Sequence, residues 1–298
     1  MREWSAEVTV DKELARRLIR EQFPQLELRS ERLLGEGWDT TVWLVDDEWV
    51  FRFPRRAVVI PGIENELAVL PLLAPLLPLQ IPNPTLVGRP SEEFQWPFYG
   101  CPFLTGRELA DAGLSDEKRR RLAAPLAEFL RTLHSIKLEV ELPVDPVRHA
   151  DIARRVPRTR ERLEELRRTG LWSPPGVVDE LLDAAEDLPA PEPTAIVHGD
   201  LHLRHLLVGE AGEPTAVIDW IDVSRNDPCV DLVLFWCVLR PAARSEFLAV
   251  YGAVSEEQLL RARVLSLFLC ATLAVYAYSE GMEPLKLEAV AGLDRTCS

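Results

Sequence analysis

The chain has 298 residues, of which 47% are hydrophobic, so it can build a substantial core and is expected to fold as two lobes or domains. Its 48 acidic and 34 basic side chains give a formal charge of −14, which disfavours nucleic acid as a partner and favours cationic small molecules. The five cysteines show no CxxC spacing, which indicates reduced thiols in a cytoplasmic protein rather than disulfides.

The N-terminal third predicts a helix followed by an antiparallel sheet. The first residues, MREWSAEVTVDKEL, carry charge throughout and lack an apolar run, so no secretory signal is expected. An amphipathic helix is expected from about Asp11 to Gln22, with Pro24 ending it. Three strands should follow, at 28–34, 41–45 and 49–53, with a turn at Asp46 and Asp47.

The sheet should be followed by a helix and then by extended chain. The helix is expected from about Ile63 to Leu73. Eight prolines between Pro71 and Pro102 then hold the backbone extended, so we interpret this stretch as the connector between two lobes. Helical spacing dominates afterwards, at 115–136, at 152–168 and beyond a capping box at 255–258. No uncharged stretch reaches membrane-spanning length, so no membrane association is expected.

One polar segment interrupts the helical region. The residues HGDLHLRH, 198–205, precede a short β-type run, and Asp219 follows a second run at 216–218. A kinase catalytic loop places an Asp that accepts the proton of the acceptor hydroxyl, a metal ligand five residues later, and a second Asp that holds Mg²⁺ against the phosphates. Asp200, His205 and Asp219 fall on these three positions.

Two N-terminal features occur in the matching order. Gly35 and Gly37 form a turn between strands, and Arg52 places a cation on the third strand. A triphosphate carries about four negative charges, which cations must neutralise during transfer. Two glycines after a strand often mean only a turn, and Arg52 could face solvent. The order of these parts relative to the polar segment is therefore what favours a phosphate-binding role.

Three segments resemble the aminoglycoside and macrolide phosphotransferases and their choline-kinase-like relatives. VHGDLHLRHLLV and AVIDWIDVSRNDPCVDL are similar to the catalytic-loop and metal-binding motifs of that family, and LLGEGWDTTVWLVDDEWVFRFPRR is similar to its N-lobe hairpin. The resemblance spans about residues 33–234. His205 gives the loop a pattern similar to macrolide and 2''-aminoglycoside phosphotransferases, which use GTP readily.

The resemblance implies a fold, cofactors and a class of acceptor. The fold would be α+β and protein-kinase-like, with a small antiparallel-sheet N-lobe at 1–104 that binds nucleotide and a mostly helical C-lobe at 105–298 that holds the catalytic loop and the acceptor. The cofactor would be Mg²⁺, with ATP or GTP as phosphoryl donor. The acceptor would be a small hydroxylated molecule, often an antibiotic, and oligomeric state stays open.

The family's functional residues can be carried over by position. Asp200 would be the catalytic base, and Asp219 and His205 would be the metal ligands. The nucleotide would be bound by Gly35, Gly37, Arg52, Glu66, Tyr99, Cys101 and Phe103. Glu66 would pair with Arg52, although Glu64 competes for that role, and residues 99–103 would form a hinge whose backbone reads the base. Asp231 would be structural.

The chain departs from the family pattern at three positions. Arg52 stands where Lys is usual, His205 where Asn is usual, and no glycine follows Asp219 and Trp220. A hard Mg²⁺ prefers oxygen to imidazole, so direct ligation by His205 stays open. These departures leave a nucleotide-binding pseudokinase as an alternative, and the presence of both aspartates argues against it.

Asp222 and Trp236 are candidate acceptor contacts. The apolar run at 232–239 lacks the carboxylates expected beside a polyamine, which favours a bulkier, less charged acceptor such as a macrolide, but a buried core helix explains the same residues. A choline- or sugar-type metabolite kinase of the same fold is a further alternative.

Two other interpretations compete with the kinase-like one. The histidines at 198, 202 and 205 could bind zinc in a metallohydrolase, although their spacing does not match HExxH; otherwise His198 and His202 would stabilise the loop. The arginine-rich run at 151–168 contains interleaved glutamates and no aromatic residues, so a solvated helix is favoured over a nucleic-acid surface.

Overall fold

A computed structural model describes residues 6–37 and 39–298. Contacts between residues divide the chain into two compact units. The N-terminal unit extends to Leu104, except that residues 77–79 group with the C-terminal unit, which comprises Thr105–Ser298.

An antiparallel five-stranded sheet forms the N-terminal unit. Its strands are β1 (Glu31–Glu36), β2 (Thr40–Val45), β3 (Trp49–Pro54), β4 (Leu86–Gly88) and β5 (Phe98–Pro102), in the order β1-β2-β3-β5-β4. The predicted turn between β2 and β3 is confirmed. Asp46 and Asp47 both adopt positive φ, 53° and 56°, the geometry of a type I′ hairpin turn. Aspartate accepts this left-handed conformation at low cost because its short polar side chain can hydrogen-bond locally.

Two helices accompany this sheet. The first, α1 (Lys12–Gln22), begins where Asp11 accepts a hydrogen bond from the amide of Leu14 at 2.8 Å, so the predicted helix is confirmed. The second, α2 (Ile60–Leu73), begins three residues earlier than predicted, with Pro61 in the first turn, where its missing N–H costs nothing. Apolar residues from α1 and the sheet form one buried cluster, which includes Leu18, Ile19, Phe51, Phe53 and Phe98.

Beyond α2, which includes Pro71, the proline-rich stretch contains no α-helix, as predicted. Apart from residues 77–79 it belongs to the N-terminal unit, so it does not connect the two units as the sequence suggested. Its strands β4 and β5 add to the sheet, and β5 pairs with β3. The prolines do not interrupt these strands, because β4 contains none and Pro102 is the last residue of β5, a position that tolerates proline.

The C-terminal unit is mostly helical. Its helices are α3 (Asp116–Arg121), α4 (Ala123–Ser135), α5 (Ile152–Thr169), α6 (Val177–Glu186), α7 (Val233–Cys237), α8 (Pro241–Tyr251), α9 (Glu256–Glu280) and α10 (Glu283–Cys297). The helix predicted at 115–136 is two helices, α3 and α4. They are separated at Leu122, shortly before Pro125, whose ring nitrogen cannot donate the helical hydrogen bond.

Helix α9 is the long central helix of this unit. Its predicted capping box is confirmed, with Ser255 accepting from the amide of Gln258 at 3.1 Å. By length and composition, α9 is the one helix of the described chain apolar enough to cross a membrane, and 56% of its apolar window is buried. It packs against α5, α7 and α10, as the core helix of a non-membrane protein also does, so this is weak evidence for a membrane span.

Short strands frame the polar segment. They are β6 (Arg107–Glu108), β7 (Ala195–Val197), β8 (Leu206–Val208), β9 (Pro214–Val217) and β10 (Ser224–Asn226). One sheet has the order β6-β8-β9, and β7 pairs with β10. The loops β7–β8 and β9–β10 therefore carry the polar residues singled out in the sequence.

Candidate active site

A buried carboxylate holds the start of the β7–β8 loop. Asp231 is fully buried and accepts hydrogen bonds from the amides of His198 (2.8 Å) and Gly199 (3.0 Å) and from Nε2 of His134 (3.1 Å). Burial acts to raise the pKa of Asp231, but the hydrogen bond and charge of His134 outweigh it and the net pKa is lowered. Asp231 is thus an ionised anchor that fixes the backbone just before Asp200.

Gly199 allows the loop to turn toward Asp200. Its φ is +90°, a conformation that side-chain-bearing residues rarely adopt, and a Cβ there would lie 2.4 Å from the carbonyl oxygen of Asp222. Backbone strain and a backbone clash therefore both require glycine.

Replacing Gly199 by alanine should lower both stability and turnover. The matched control is Gly113→Ala, since Gly113 has φ +56° and open space around its Cβ position. The control should cost about 1–2 kcal/mol of left-handed strain. Gly199→Ala should cost more, because the β9–β10 loop must also move. Chemical denaturation measures both, and equal losses would contradict the clash.

Two histidines stabilise the loop, as the sequence favoured. His198 accepts from the amide of Asp200 through Nδ1 (3.2 Å), while its Nε2 donates to the carbonyl of Ile218 (2.9 Å). His202 accepts from the amide of Arg204 through Nδ1 (3.2 Å) and stacks on His205 with ring centroids 3.7 Å apart. Burial lowers the pKa of His202 to about 3, so this ring is neutral at physiological pH.

His205 links the two loops. Its Nδ1 lies 2.7 Å from the carbonyl oxygen of Asp200, and its Nε2 lies 3.5 Å from Oδ2 of Asp219. Burial, reinforced by the other imidazoles, lowers the pKa of His205 to about 4. The ring is therefore neutral, and because a carbonyl only accepts, its single proton is on Nδ1.

This tautomer fits a cation between His205 and Asp219. The Nε2 lone pair and a carboxylate oxygen are both acceptors, and at 3.5 Å they repel each other unless a positive charge lies between them. The backbone of Asp219 has an unusual φ of +64°. The amide of the preceding Ile218 donates to the carbonyl of His205 at 2.9 Å, which ties the two loops together. The donor set of one carboxylate and one neutral imidazole suits a divalent metal ion.

The pKa of the Asp200 carboxyl is raised. Burial raises its pKa, His205 opposes that rise, and Asp222 adds to it. A carboxylate with a raised pKa accepts a proton more readily than an ordinary aspartate does. One oxygen of Asp200 lies 3.6 Å from Nε2 of His202, and the possible ligand atoms of Asp200, His202 and His205 all lie within 4.8 Å of one another.

In the N-terminal unit, Arg52 and Glu66 form a buried ion pair. Nη1 of Arg52 lies 2.9 Å from Oε1 of Glu66, and the two side chains are 9% and 0% exposed. Arg52 lies on β3, Glu66 on α2, and Tyr99 lies opposite Arg52 on β5. Burial raises the pKa of Tyr99, so its phenol stays neutral beside the pair.

Replacing Glu66 by glutamine should destabilise the N-terminal unit strongly. It would leave the permanent charge of Arg52 buried beside a neutral amide, which costs about 3–5 kcal/mol. The control is Glu93→Gln, because Glu93 pairs with Arg17 at 3.0 Å in the same unit but about half of each side chain is exposed. That change should cost about 1 kcal/mol at most. Denaturant titration compares them, and equal costs would contradict the buried pair.

The other predicted nucleotide contacts lie along β1 and β5. Gly35 is in β1 at a break in its register with β2, and the amide of Gly37 donates to the carbonyl of Thr40 at 3.0 Å. The amide of Phe103 already donates to the carbonyl of Glu48 at 2.7 Å, and Pro102 has no amide proton. Neither Pro102 nor Phe103 can therefore donate a backbone hydrogen bond to a nucleotide base. Contacts to a base from this segment would have to come from carbonyl groups or from other amides. Burial raises the pKa of Cys101 to about 12, so its thiol is inert.

A sequence comparison decides the family. The sequence model of the family described as "Phosphotransferase enzyme family" matches residues 30–265, most of the chain. The chain belongs to this phosphotransferase family. It is thus a phosphotransferase with an alcohol group as acceptor. A curated relative, the uncharacterized protein YcbJ of Bacillus subtilis (strain 168), is 24% identical over 262 residues and covers 78% of each chain.

Solved structures show the fold. The GDP and kanamycin complex of APH(2'')-IIIa has a TM-score of 0.69 and 24% identity, over 95% of this chain and 97% of that chain. Macrolide 2'-phosphotransferase MphH from Brachybacterium faecium has a TM-score of 0.58 and 22% identity, over 94% and 98%. The predicted kinase-like α+β fold, with an antiparallel-sheet N-terminal region and a helical C-terminal region, is confirmed.

The phosphotransferase has a cavity beside Asp200 that sequence analysis did not find. It lies within the C-terminal unit, has a volume of about 180 Å³, and is lined by His149, Arg155, Asp200, Val230, Leu265 and Phe268, among others. Asp222 borders this region, since its Oδ2 lies 3.3 Å from Nε2 of His149. The structure thus brings Asp222 close to Asp200, and its role as an acceptor contact stays a prediction.

Trp236 is not among the residues that line this cavity, so its selection as an acceptor contact stays a prediction that the cavity does not support. The guanidinium groups of Arg244 and Arg263 lie 4.5 and 4.6 Å from the centroid of its ring, and its Nε1 donates to the carbonyl of Leu259 at 3.0 Å. The ring is thus engaged by two cations, and its N–H is already hydrogen-bonded. The surrounding run at 232–239 is buried core apart from Trp236, the alternative that the sequence left open.

The run at 151–168 is not simply a solvated helix. Arg155 on α5 is only 6% exposed. The signal was present in the sequence, since Arg155 falls on the same helical stripe as Ile152, Thr159 and Leu163, all of which are buried. A charged residue on an apolar stripe is unusual and indicates a specific role.

Proposed function

We propose that this phosphotransferase transfers the γ-phosphoryl group of ATP or GTP to a hydroxyl of a small molecule, with Asp200 as the base. The observation that carries the proposal is the arrangement of Asp200, His205 and Asp219. His205 lies 3.8 Å from a carboxylate oxygen of Asp200 and 3.5 Å from one of Asp219, so side chains from two loops come together. Their order along the chain is that of the base and the metal ligands in phosphoryl-transfer enzymes.

Asp200 would accept the proton of the acceptor hydroxyl as its oxygen attacks the γ-phosphorus. The bond between the γ-phosphorus and the bridging oxygen breaks, and the nucleoside diphosphate leaves. Asp231 and Gly199 fix the loop backbone, so the carboxylate is positioned before the acceptor binds. Such positioning supplies much of the acceleration in this class of reaction, since it saves the entropy of aligning the groups.

Mg²⁺ fits the donor set described above. Asp219 would hold the ion, with Nε2 of His205 directed to the same place. When bound, Mg²⁺ would neutralise the charge of the phosphate oxygens. The zinc-hydrolase alternative is disfavoured, because both nitrogens of His198 are already engaged with backbone groups and the family is one of phosphotransferases.

The nucleotide would bind to the N-terminal unit. Arg52, held by Glu66, would contact phosphate oxygens. The backbone at Gly35, in β1, and at Gly37, just after it, would approach the same oxygens. The segment 99–103, which includes Tyr99, Cys101 and Phe103, would supply carbonyl groups to the base.

All five cysteines are free thiols, which fits a reducing compartment, and we place the enzyme in the cytoplasm.

Antibiotics of the aminoglycoside and macrolide types are the first acceptors to test. The solved structures of similar fold include a kanamycin complex and a macrolide 2'-phosphotransferase, and an antibiotic-like acceptor would lie over Asp200 near Asp222. A metabolite kinase of the same fold is the second candidate. The buried cation Arg155 favours it, because a cation beside the base repels a polyamine such as an aminoglycoside.

The test is consumption of ATP and of GTP, with Mg²⁺, across aminoglycosides, macrolides, choline, sugars and hydroxy acids. Turnover stimulated by one acceptor class would support the proposal and name that class. Nucleotide binding without acceptor-stimulated turnover across the whole panel would instead support the pseudokinase alternative.

A further inference from the structure

Arg155 combines deep burial with free hydrogen-bonding capacity. Its Nε donates to the carbonyl of His149 at 3.2 Å, and its guanidinium lies 4.8 Å from the ring centroid of Phe268. Within the described ranges 6–37 and 39–298, neither Nη atom makes a hydrogen bond or lies in salt-bridge distance of a carboxylate. The guanidinium is thus fixed through Nε and packed against an aromatic ring, while the N–H groups of its two Nη atoms stay available to a ligand.

Those donors belong to a wall of the cavity beside Asp200. Because the site is largely shielded from water, an anionic partner stabilises these donors more than it would exposed ones. Burial lowers the pKa of Arg155, with Arg154 and Arg158 adding to that effect, while Asp145 and Asp200 oppose it. Asp200 lines the same cavity, but no carboxylate of the described residues lies within 4.0 Å of the Nη atoms.

The remaining lining restricts the size and polarity of what could bind. Val230, Leu265, Phe268 and Leu269 are apolar, and Arg155 is the one arginine or lysine among the lining residues. The volume of about 180 Å³ is below the roughly 300–1,000 Å³ of sites for drug-sized ligands. It suits a molecule of a few carbon atoms, or one arm of a larger molecule.

We propose that the acceptor is a small alcohol that also carries an anionic group, a carboxylate or a phosphate, bound by the Nη atoms of Arg155 while its hydroxyl faces Asp200. This inference rests on the proposed function. The hydroxyl oxygen forms the new bond to the γ-phosphorus, its proton passes to Asp200, and the nucleoside diphosphate leaves. Arg155 can offer two parallel N–H groups, which match both carboxylate and phosphate oxygens.

Three-carbon alcohols of different charge test this directly. Glycerate and glycerol 3-phosphate are anionic, glycerol is their neutral counterpart, and 3-aminopropanol is cationic. Turnover of each with Mg²⁺ and ATP or GTP gives kcat/KM, and calorimetry measures binding of each without nucleotide. We expect at least one anionic alcohol to exceed glycerol and 3-aminopropanol in both measurements, and the two anions show whether carboxylate or phosphate is preferred.

The matched variants are Arg155→Gln and Arg158→Gln. Arg158 lies one turn along the same helix and is exposed, so its replacement should leave the preference for the anionic alcohol unchanged. Arg155→Gln should reduce kcat/KM for the anionic alcohol by about 10- to 100-fold, as expected for loss of a hydrogen bond to a charged group. Turnover of glycerol should change little, and Arg155→Lys should restore part of the preference.

The outcomes separate this inference from the proposed function. Turnover of neutral or cationic acceptors with no preference for anions, or a preference that survives Arg155→Gln, would overturn the inference and leave the phosphotransferase intact. Arg155-dependent binding of an anionic alcohol without turnover of any acceptor would support the anion site and contradict the phosphotransferase. If calorimetry detects no anionic alcohol binding, and none is turned over, the inference is wrong.

Discussion

Asp200→Asn should lower acceptor-stimulated turnover by about 10²- to 10⁴-fold, the usual contribution of a positioned general base. An amide of the same shape cannot accept the proton, and it keeps the hydrogen bonds of the loop backbone that pass through His198 and Asp231. Nucleotide affinity should therefore change little, because the variant removes no predicted nucleotide contact. Steady-state kinetics and nucleotide titration measure the two effects separately.

The control for this experiment is Asp187→Asn. Asp187 is an exposed aspartate at the C-terminal end of α6, so its replacement removes the same charge without touching the site. Turnover of the control should match that of the unaltered protein. Near-full turnover in Asp200→Asn would show that another group takes the proton.

Replacing Asp231 by asparagine should strongly destabilise the protein, because Asp231 holds the start of the catalytic loop. The two oxygens of Asp231 accept hydrogen bonds from two backbone amides and from His134. In asparagine one of these oxygens becomes an NH₂ group, which is itself a donor and would face at least one of the existing donors. Loss of a fully buried, ionised acceptor should cost about 3 kcal/mol or more. Turnover should fall about 100-fold as well, because Asp200 would no longer be held in place.

The stability difference between Asp231→Asn and the unaltered protein should depend on pH. The pKa of Asp231 is lowered in the folded state, below the ordinary value of 3.8. Its contribution is thus fully present above that ordinary value and is lost as pH falls through the lower, folded-state pKa. Unfolding free energies should differ most at neutral pH and converge below about pH 4; a constant difference would contradict an ionised Asp231.

Tyr251→Phe is a graded control for the same network. The hydroxyl of Tyr251 lies 2.7 Å from Nδ1 of His134, so this variant removes only the outermost hydrogen bond and leaves Asp231 with its three donors. It should cost about 1 kcal/mol. A loss as large as that of Asp231→Asn would show that the network depends on its outer end rather than on the carboxylate.

The parts of the site that are local in sequence could be predicted. Asp200 and His205 lie in one short loop between strands, and spacing within such a loop determines which side chains can meet. The Asp46–Asp47 turn, the Asp11 helix cap and the capping box at Ser255 were predictable for the same reason, since each rests on contacts within a few residues.

The parts that depend on contacts between distant segments could not be predicted. Arg155 reaches the cavity only because α5 packs against α9, which carries Phe268, and nothing in the spacing of either helix places the two together. The contacts of Trp236 could not be foreseen for the related reason that Arg244 and Arg263, which lie against its ring, come from α8 and α9. The contact of His134 with Asp231 likewise joins residues 97 positions apart.

The most direct test of the proposed function is phosphorus NMR of the purified protein with Mg²⁺, ATP or GTP, and a panel of hydroxylated acceptors that includes the anionic alcohols. We expect a phosphate monoester of one acceptor and a nucleoside diphosphate to appear in equal amounts, and both to be lost in Asp200→Asn. If inorganic phosphate is the only new phosphate-containing product besides the nucleoside diphosphate, water is the acceptor. If no new product forms with any acceptor although nucleotide is bound, the protein does not transfer phosphoryl groups to these acceptors. Either result would contradict the proposed function.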